Sequence, residues 1–293
     1  MLNIMTNPRV FCINLDRSPE RWNFMVNQKN KLGQTKLERI SGVDGYILDK
    51  DELMDIQIIT SECYHLCSPG MIGCWLSHLK IWKKVVDEDI PYAVILEDDA
   101  VIPNNYSEKI NRLINFVPEN ADIVLLGCLM GCRDDPNLNL MEKMITMFYK
   151  PRDYSVVNQE IIVPQMFTGT FAYLITNRGA KKCLKELGKV SYHVDNIMSK
   201  NKELNLYAVK KMEDWFETYA YSSNSTLNGN VSNKKKEQML FFGHNFSINW
   251  ALNTPLFQLP FGIIFNGWLI IKIIIIILVL LICQVLQNKR SSK

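Results

Sequence analysis

Three consecutive acids, Glu97, Asp98 and Asp99, are the strongest sign of chemistry in this sequence. They directly follow residues 92–96, a continuous apolar run of the kind found in strands buried on both faces. Ligands of open α/β sheets bind at the carboxyl ends of strands. Adjacent carboxylates repel one another unless a cation neutralises them, and Mg²⁺ or Mn²⁺ prefers oxygen ligands. The pattern predicts a metal site able to bridge a diphosphate; a solvated acidic turn is the alternative.

A further acid, Asp195, lies well downstream, within the segment YHVDN at residues 192–196. Removing a proton from an attacking hydroxyl needs a side chain such as a carboxylate within hydrogen-bond reach. Asp195 is therefore a candidate base supplied by a second half of the site. The alternative is a polar surface residue near the start of a helix.

Apolar periodicity indicates the elements that must position these acids. Strands are predicted at residues 10–15, 37–40, 92–96, 122–127 and 171–175, and helices after Pro19, at 71–86 and at 178–187. The helix at 71–86 is amphipathic, because its apolar residues are spaced three and four apart. Strands that alternate with helices predict a largely parallel, open α/β sheet. Residues 128–164 are expected to be irregular.

Composition and charge narrow the class of protein. The chain has 293 residues and is 47% hydrophobic, which is enough for a sizeable core. Its net charge is only +3 and the basic residues are scattered. No face rich in Lys and Arg is apparent, so a nucleic-acid partner is not expected.

Five segments taken together resemble glycosyltransferase family 25, which includes bacterial lipooligosaccharide galactosyltransferases and collagen galactosyltransferases. They are INLDRSPER at 13–21, SGVDG at 41–45, SPGMIGCWLSH at 68–78, EDD at 97–99 and GTFAYLI at 169–175. The resemblance covers residues 10–209. It implies a Rossmann-type open sheet of the GT-A kind and an inverting transfer, often of galactose, from a UDP-sugar to a glycan or protein acceptor.

The resemblance also implies roles for single residues. Donor binding falls to Asn14, Asp16, Arg17, Arg21, Asp44, Ser77 and Asp98; a Mn²⁺ or Mg²⁺ ion falls to Glu97 and Asp99; and catalysis falls to Asp195 and His78. A cation that bridges the diphosphate neutralises charge on the departing UDP, and the acceptor hydroxyl needs a base. Asp99 is the first choice for the metal ligand.

Met71 departs from the family pattern, which often has Glu after the Pro-Gly of the 68–78 segment. The change removes a charge from a region expected to face the donor. It leaves open a second hypothesis, an inactive relative that binds glycans or a partner protein at a membrane. A metal-dependent phosphoester hydrolase is a third, but a two-metal centre needs clusters of ligands that a chain with 4 His does not display.

The C-terminal region reads as a membrane anchor. Residues 263–283 are apolar apart from Asn266 and Lys272, and about 20 apolar residues span a bilayer. We expect a catalytic domain at 1–221, a mobile and membrane-proximal segment at 222–262, a transmembrane helix at 263–286 and a basic tail at 287–293. The basic tail favours a cytoplasmic C-terminus, whereas the absence of a secretory signal favours a cytoplasmic domain, so the side of the membrane stays open.

Overall fold

A computed structural model describes residues 7–218, apart from 133, 140, 141, 144, 145 and 147–149, together with residues 255–258 and 264–291. The chain divides into two compact units, residues 1–234 and 235–293. The domain boundaries predicted from the sequence, after residues 221 and 262, lie outside the described residues.

The first unit consists of short strands and helices that alternate along the chain. Its described strands are β1 (Arg9–Asn14), β2 (Leu37–Ser41), β3 (Tyr92–Glu97), β4 (Ala100–Val101), β5 (Ile123–Gly127), β6 (Ser155–Val156), β7 (Ile161–Val163), β8 (Ala172–Thr176), β9 (Leu206–Val209) and β10 (Glu217–Thr218). Its helices are α1 (Pro19–Asn27), α2 (Lys50–Asp55), α3 (Ser61–Leu66), α4 (Pro69–Asp87), α5 (Tyr106–Ile114), α6 (Asn177–Glu186) and α7 (Val194–Lys200). A 3₁₀ turn occupies Gly45–Ile47.

Eight strands form one mixed sheet in the order β2-β1-β3-β8-β5-β9-β7-β6. β1 is parallel to β2 and β3, and β5 is parallel to β9, whereas β8 is antiparallel to both β3 and β5. The prediction of a largely parallel sheet is therefore wrong in its centre. The reason lies in the connection: an antiparallel bridge between Met130 and Thr168 returns the chain to the edge where β5 ended, so β8 must run back.

The sheet has a different partner on each face. Val94 and Leu96 of β3 belong to a buried cluster that includes Val10 of β1 and Ile110 of α5. Successive side chains of a strand point to opposite faces, so Glu97 points to the other face, where α4 lies. The end of β3 thus delivers its acids to two sides of the sheet.

Helix α4 begins with a defined cap. The Ser68 hydroxyl accepts a 3.3 Å hydrogen bond from the Met71 backbone N–H, and Met71 Sδ accepts one from the Ser68 backbone N–H at 3.4 Å. Proline at the first helical position suits the start of a helix. Trp75 and Trp82 are fully buried, which confirms that the apolar stripe is core.

The second unit contains β11 (Pro255–Gln258) and β12 (Ile264–Asn266), paired antiparallel, followed by α8 (Gly267–Ser291). The predicted start of the C-terminal helix at 263 is wrong, because Ile264–Asn266 pairs as a strand. Within the part of the chain that the structure describes, no helix is both long enough and apolar enough to cross a membrane.

Candidate functional site

A cleft opens at the carboxyl ends of β1 and β3, beside the first half of α4. Its empty volume is about 570 Å³, including space open to solvent. The residues predicted from the sequence that line it are Arg17, Arg21, Asp44, Ser77, His78, Glu97 and Asp98. The predicted residues Asn14, Asp16, Asp99 and Asp195 are not among the lining residues. The structure thus brings together seven of the eleven side chains that the sequence singled out.

Two glycines bring the cleft walls together. A Cβ on Gly45 would lie 1.7 Å from the Pro69 carbonyl oxygen, and a Cβ on Gly73 would lie 2.7 Å from the Gly45 nitrogen. Ser77 ties the same two segments, since its hydroxyl accepts a 2.8 Å hydrogen bond from the Val43 N–H. Ser77 therefore positions the wall from within the helix.

A buried ion-pair network lies at the floor of the cleft. Arg21 contacts Asp98 Oδ1 through Nη2, and the same nitrogen lies 3.4 Å from Asp99 Oδ2. Asn14 Nδ2 donates a 2.7 Å hydrogen bond to Asp98 Oδ2. Burial raises the pKa of Asp98, while the Arg21 charge works to lower it. Asn14 thus acts on the cleft through Asp98, without lining it.

Asp99 is not among the residues that line the cleft. Its side chain is buried, and its Oδ1 has no hydrogen-bond partner among the described residues. Burial, reinforced by the charge of Glu97 and opposed by Arg21, raises the pKa of Asp99 to about 7. Oδ1 of Asp99 is therefore an oxygen atom that a metal ion could take.

Glu97 presents its carboxylate to the cleft with one oxygen held. The Thr170 hydroxyl donates a 2.7 Å hydrogen bond to Oε1, and His78 Nε2 lies 3.5 Å from the same oxygen. Burial by itself raises the pKa of Glu97, but His78, Thr170 and Arg21 lower it more, so the net shift is downward. Glu97 is thus anionic over the neutral pH range.

The rim of the cleft carries an exposed arginine and an exposed aromatic ring. Arg17 Nε donates a 2.6 Å hydrogen bond to Asp44 Oδ2, and its guanidinium lies 5.4 Å from the centre of the Tyr46 ring. Tyr46 is half exposed and lines the cleft. Asp16 lies outside this set, where it accepts hydrogen bonds from Arg39 and Ser41.

Asp195 is occupied by backbone groups. Its Oδ2 accepts a 2.6 Å hydrogen bond from the Gly169 N–H, and its Oδ1 accepts one from the Asn196 N–H at 2.7 Å. Gly169 has a positive φ of 88°, a conformation that favours glycine. Asp195 therefore fixes the turn that leads to Thr170, and it is not among the residues that line the cleft.

Sequence reasoning missed Tyr46 and Cys74, which both line the cleft. Tyr46 directly follows the Asp44-Gly45 turn, and its ring could have been noticed as an aromatic residue beside a predicted donor residue. Cys74 is four positions before His78 on the same helix, and residues spaced by four share a helix face. The helical periodicity therefore contained the signal for Cys74.

Charges of both signs meet in this cleft. Guanidinium groups bind phosphate oxygens, and carboxylates hold hard cations. Glu97 and Asp99 fit a hard divalent ion, because each has a carboxylate oxygen that no hydrogen bond from the described residues reaches. Both oxygens of Asp98, in contrast, are taken by Arg21 and Asn14. The arrangement suits a ligand that carries a diphosphate and a metal ion.

Comparisons with known proteins point to one family. The model of glycosyltransferase family 25 (LPS biosynthesis protein) matches residues 7–198. A glycosyltransferase 25 family member of Aedes aegypti is 30% identical over 185 residues, which cover 60% of this chain and 28% of that protein.

The relatives also include proteins with contrasting names. Human procollagen galactosyltransferase 2 is 26% identical over 38% of this chain and 18% of that protein. The mouse inactive glycosyltransferase 25 family member 3 is 29% identical over 43% of this chain and 23% of that protein. The chain thus spans less than a third of the length of each of these relatives.

Proposed function

The chain belongs to glycosyltransferase family 25, and from that premise we propose that it transfers a hexosyl group, galactose first among the candidates, from a UDP-sugar to a hydroxyl of a glycan or protein acceptor. The observation that supports this proposal most is the cleft itself, where Arg17, Arg21, Asp44, Glu97 and Asp98 face one cavity. A nucleotide sugar carries a diphosphate, whose negative charge can be neutralised in a binding site by cationic side chains together with a metal ion. We also propose that the mixed sheet is of the GT-A kind and that transfer inverts the anomeric configuration, as family resemblance implies.

Each residue of the site has a distinct part in the proposed reaction. Glu97 and Asp99 would hold a Mn²⁺ or Mg²⁺ ion, which would neutralise charge on the departing diphosphate. Arg17 is exposed at the rim and contacts the donor phosphates or ribose, with Tyr46 beside it. Arg21 keeps Asp98 oriented from below.

The proposed proton acceptor is Asp195, the candidate base from the sequence. Each of its oxygens accepts one backbone hydrogen bond, which leaves lone pairs on both oxygens able to take a proton from an acceptor hydroxyl. We propose that Asp195 holds the Gly169 turn and is also the candidate base.

The alternative of an inactive, partner-binding relative rested on Met71. Met71 occupies the third position of helix α4, where the capping box places a Glu or Gln that reaches back to the N-cap N–H. Met71 Sδ accepts a hydrogen bond from that same N–H. The acid that the family pattern often has here is explained by helix capping, which weakens the argument for lost activity.

The experiment that tests the proposal measures UDP release by the full-length chain. A panel of UDP-sugars, each with glycan and peptide acceptors and with Mn²⁺ present, is compared between the native chain, Glu97→Gln and Glu38→Gln. Glu38 is a matched control, because it pairs with Arg9 and does not line the cleft. We expect the native chain and Glu38→Gln to release UDP at similar rates from one of the UDP-sugars. In Glu97→Gln the rate of UDP release should fall by about 100-fold or more.

Two results would overturn this proposal. One is the absence of turnover with every sugar, combined with calorimetry that detects no Mn²⁺-dependent binding of UDP. That outcome would favour the binding-protein alternative. The other is equal turnover in Glu97→Gln and the native chain, which would remove the carboxylate from the donor site.

A further inference from the structure

Three buried side chains connect the protein interior to Glu97. Trp82 Nε1 donates a 2.9 Å hydrogen bond to the Tyr173 hydroxyl oxygen, and that oxygen lies 2.8 Å from His78 Nδ1. The other imidazole nitrogen, Nε2, lies 3.5 Å from Glu97 Oε1. Trp82, Tyr173 and His78 are all fully buried. The proposed function uses only Glu97 from this chain of contacts.

The hydrogen atoms in this chain can be assigned by elimination. An indole N–H can only donate, so the Tyr173 oxygen accepts from Trp82. The hydroxyl hydrogen must itself be donated, and among the described residues the acceptor within reach is His78 Nδ1. Nδ1 therefore carries no hydrogen. A neutral imidazole then carries its hydrogen on Nε2, the nitrogen that faces Glu97.

Glu97 consequently has one anchored oxygen and one presented oxygen. Oε1 is approached by the Thr170 hydroxyl at 2.7 Å and by His78 Nε2. No hydrogen bond from the described residues reaches Oε2, and the side chain is 27% exposed where it lines the cleft. Thr170 holds Oε1 by a hydrogen bond. His78 Nε2, which has no hydrogen-bond partner among the described residues, approaches the same oxygen as a close polar contact. The two contacts together determine where Oε2 points.

We propose that His78 is a positioning residue: Trp82 and Tyr173 fix its Nε2–H tautomer, and His78 with Thr170 holds Glu97 so that Oε2 faces the donor. This inference rests on the proposed function for its consequence in catalysis. The tautomer and the orientation of Glu97 are properties of the folded chain and can be tested without turnover.

A competing arrangement uses the same atoms as metal ligands. Cys74, His78 and Glu97 each offer one ligand atom, and these atoms lie within 4.8 Å of one another. Binding through Nε2 would move the imidazole hydrogen to Nδ1. The Tyr173 hydroxyl would then lose its acceptor inside the core, which costs about 1–3 kcal/mol for a buried polar group. The hydrogen-bonded chain therefore favours positioning over metal binding by His78.

The first test reads the tautomer directly. The chain has 4 His, so ¹⁵N-histidine labelling of the full-length protein gives few signals to assign. At neutral pH we expect the signals that disappear in His78→Gln to show a neutral ring with hydrogen on Nε2. Tyr173→Phe should shift the population towards the other tautomer. A neutral ring with hydrogen on Nδ1, or an imidazolium, in the native chain would overturn the proposal, as would a spectrum unchanged in Tyr173→Phe.

The second test separates positioning from proton transfer by steady-state kinetics. His78→Gln keeps an N–H donor for Glu97, whereas His78→Leu removes it. We expect kcat to fall by up to about 10-fold in His78→Leu, because the polar contact that orients the Glu97 carboxylate is lost, with little change in the donor KM. His78→Gln should recover most of this loss. Equal losses in both variants would show that the imidazole itself is required.

Tyr106→Phe is the matched control for Tyr173→Phe. Tyr106 is also fully buried, but its hydroxyl has no hydrogen-bond partner among the described residues. We expect kcat to fall several-fold in Tyr173→Phe and to change by less than about twofold in Tyr106→Phe. Equal effects on kcat in the two variants would contradict a role for the hydrogen bond between Tyr173 and His78. If the native chain turns over no sugar, the proposed function fails while the tautomer spectra still decide the inference.

Discussion

Gly73 of α4 lies against the backbone of Gly45, so closely that a Cβ on Gly73 would be 2.7 Å from the Gly45 nitrogen and 2.4 Å from the Val43 carbonyl oxygen. Neither neighbour is a flexible side chain that could move aside. The contact joins the turn that carries Asp44 to the helix that carries His78. The shape of the cleft therefore depends on two positions that have no side chain.

The substitution Gly73→Ala should separate the helix from this turn. We expect a loss of about 1–3 kcal/mol in the free energy of unfolding, typical of overpacking, and weaker UDP binding. Urea unfolding and calorimetry with UDP measure the two effects. Gly42→Ala is the control, because its Cβ would meet side-chain methyl groups of Ile13 and Leu15 at 3.3 Å and the nearest backbone atom, the Asn14 carbonyl carbon, only at the ordinary contact distance of 3.5 Å. Similar losses in both variants would contradict the special role of the Gly73 contact.

The substitution Arg17→Ala should weaken donor binding without slowing the chemical step. Arg17 is 49% exposed and its partner is the rim residue Asp44. Because an exposed ion pair contributes about 0.2–1 kcal/mol, we expect the donor KM to rise by about two- to fivefold, with kcat nearly unchanged. The difference from the native chain should shrink as salt is added. Arg112→Ala, which removes an exposed arginine paired with Glu160, should leave KM unchanged. A fall in kcat alone would place Arg17 in the chemical step.

The substitution Met71→Glu should stabilise the protein. A carboxylate at the third position of α4 can accept from the Ser68 N–H and interacts favourably with the helix N-terminus, which is worth about 0.3–1 kcal/mol. The midpoint of thermal unfolding should rise, and Met71→Gln, which can cap without charge, should give a smaller rise. A tenfold gain in kcat without a gain in stability would instead give the acid a role in the reaction.

The pH dependence of stability should change in opposite directions at two aspartates. The pKa of Asp99 rises from 3.8 to about 7, so the folded chain holds a proton that the unfolded chain has lost. Its contribution to stability therefore falls as pH rises through this range. Asp99→Asn should thus gain stability relative to the native chain at pH 8 and lose that gain near pH 4, measured by thermal unfolding in EDTA.

Asp122 supplies the contrast, because it is fully buried and bonded to Arg178 and Lys182. Burial by itself raises the pKa of Asp122. These two partners and the Asn205 N–H lower it by more than burial raises it, so the net shift is downward. The contribution of Asp122 to the free energy of unfolding is fully present above the ordinary pKa of Asp. It is lost as the pH falls from that value through the lowered pKa of the folded state. Asp122→Asn should therefore destabilise the protein at pH 8 and less so at acid pH. Parallel profiles for the two variants would refute the assigned shifts.

The sequence predicted the elements around the site more closely than their arrangement. A continuous apolar run and a three-to-four-residue spacing both reflect burial within one element, so the predicted strand at 92–96 and helix at 71–86 match β3 and α4 within two residues at each end. The direction of β8 depends on how the chain returns after Met130, which no local pattern encodes. The sheet was therefore predicted as parallel where it is mixed.

Side-chain direction limited the prediction of the site in a similar way. Glu97, Asp98 and Asp99 are adjacent in sequence, but Glu97 contacts Thr170 and His78, whereas Asp98 and Asp99 share Arg21. Asp195 was singled out by residue type and position, and one of its hydrogen bonds comes from Gly169, which is distant in sequence. Arg17 and Ser77 line the cleft as expected. Arg17 follows closely after β1 and Ser77 lies within α4, two elements that the sequence pattern located correctly.

The antiparallel direction of β8 has one further consequence. Because β8 begins at the edge of the sheet where β3 and β5 end, the chain returns from β7 to this edge, where the bridge between Met130 and Thr168 ties it to the segment after β5. Thr170 is thereby placed beside Glu97, although 73 residues separate them in sequence. The direction of a single strand therefore decides which hydroxyl reaches the carboxylate.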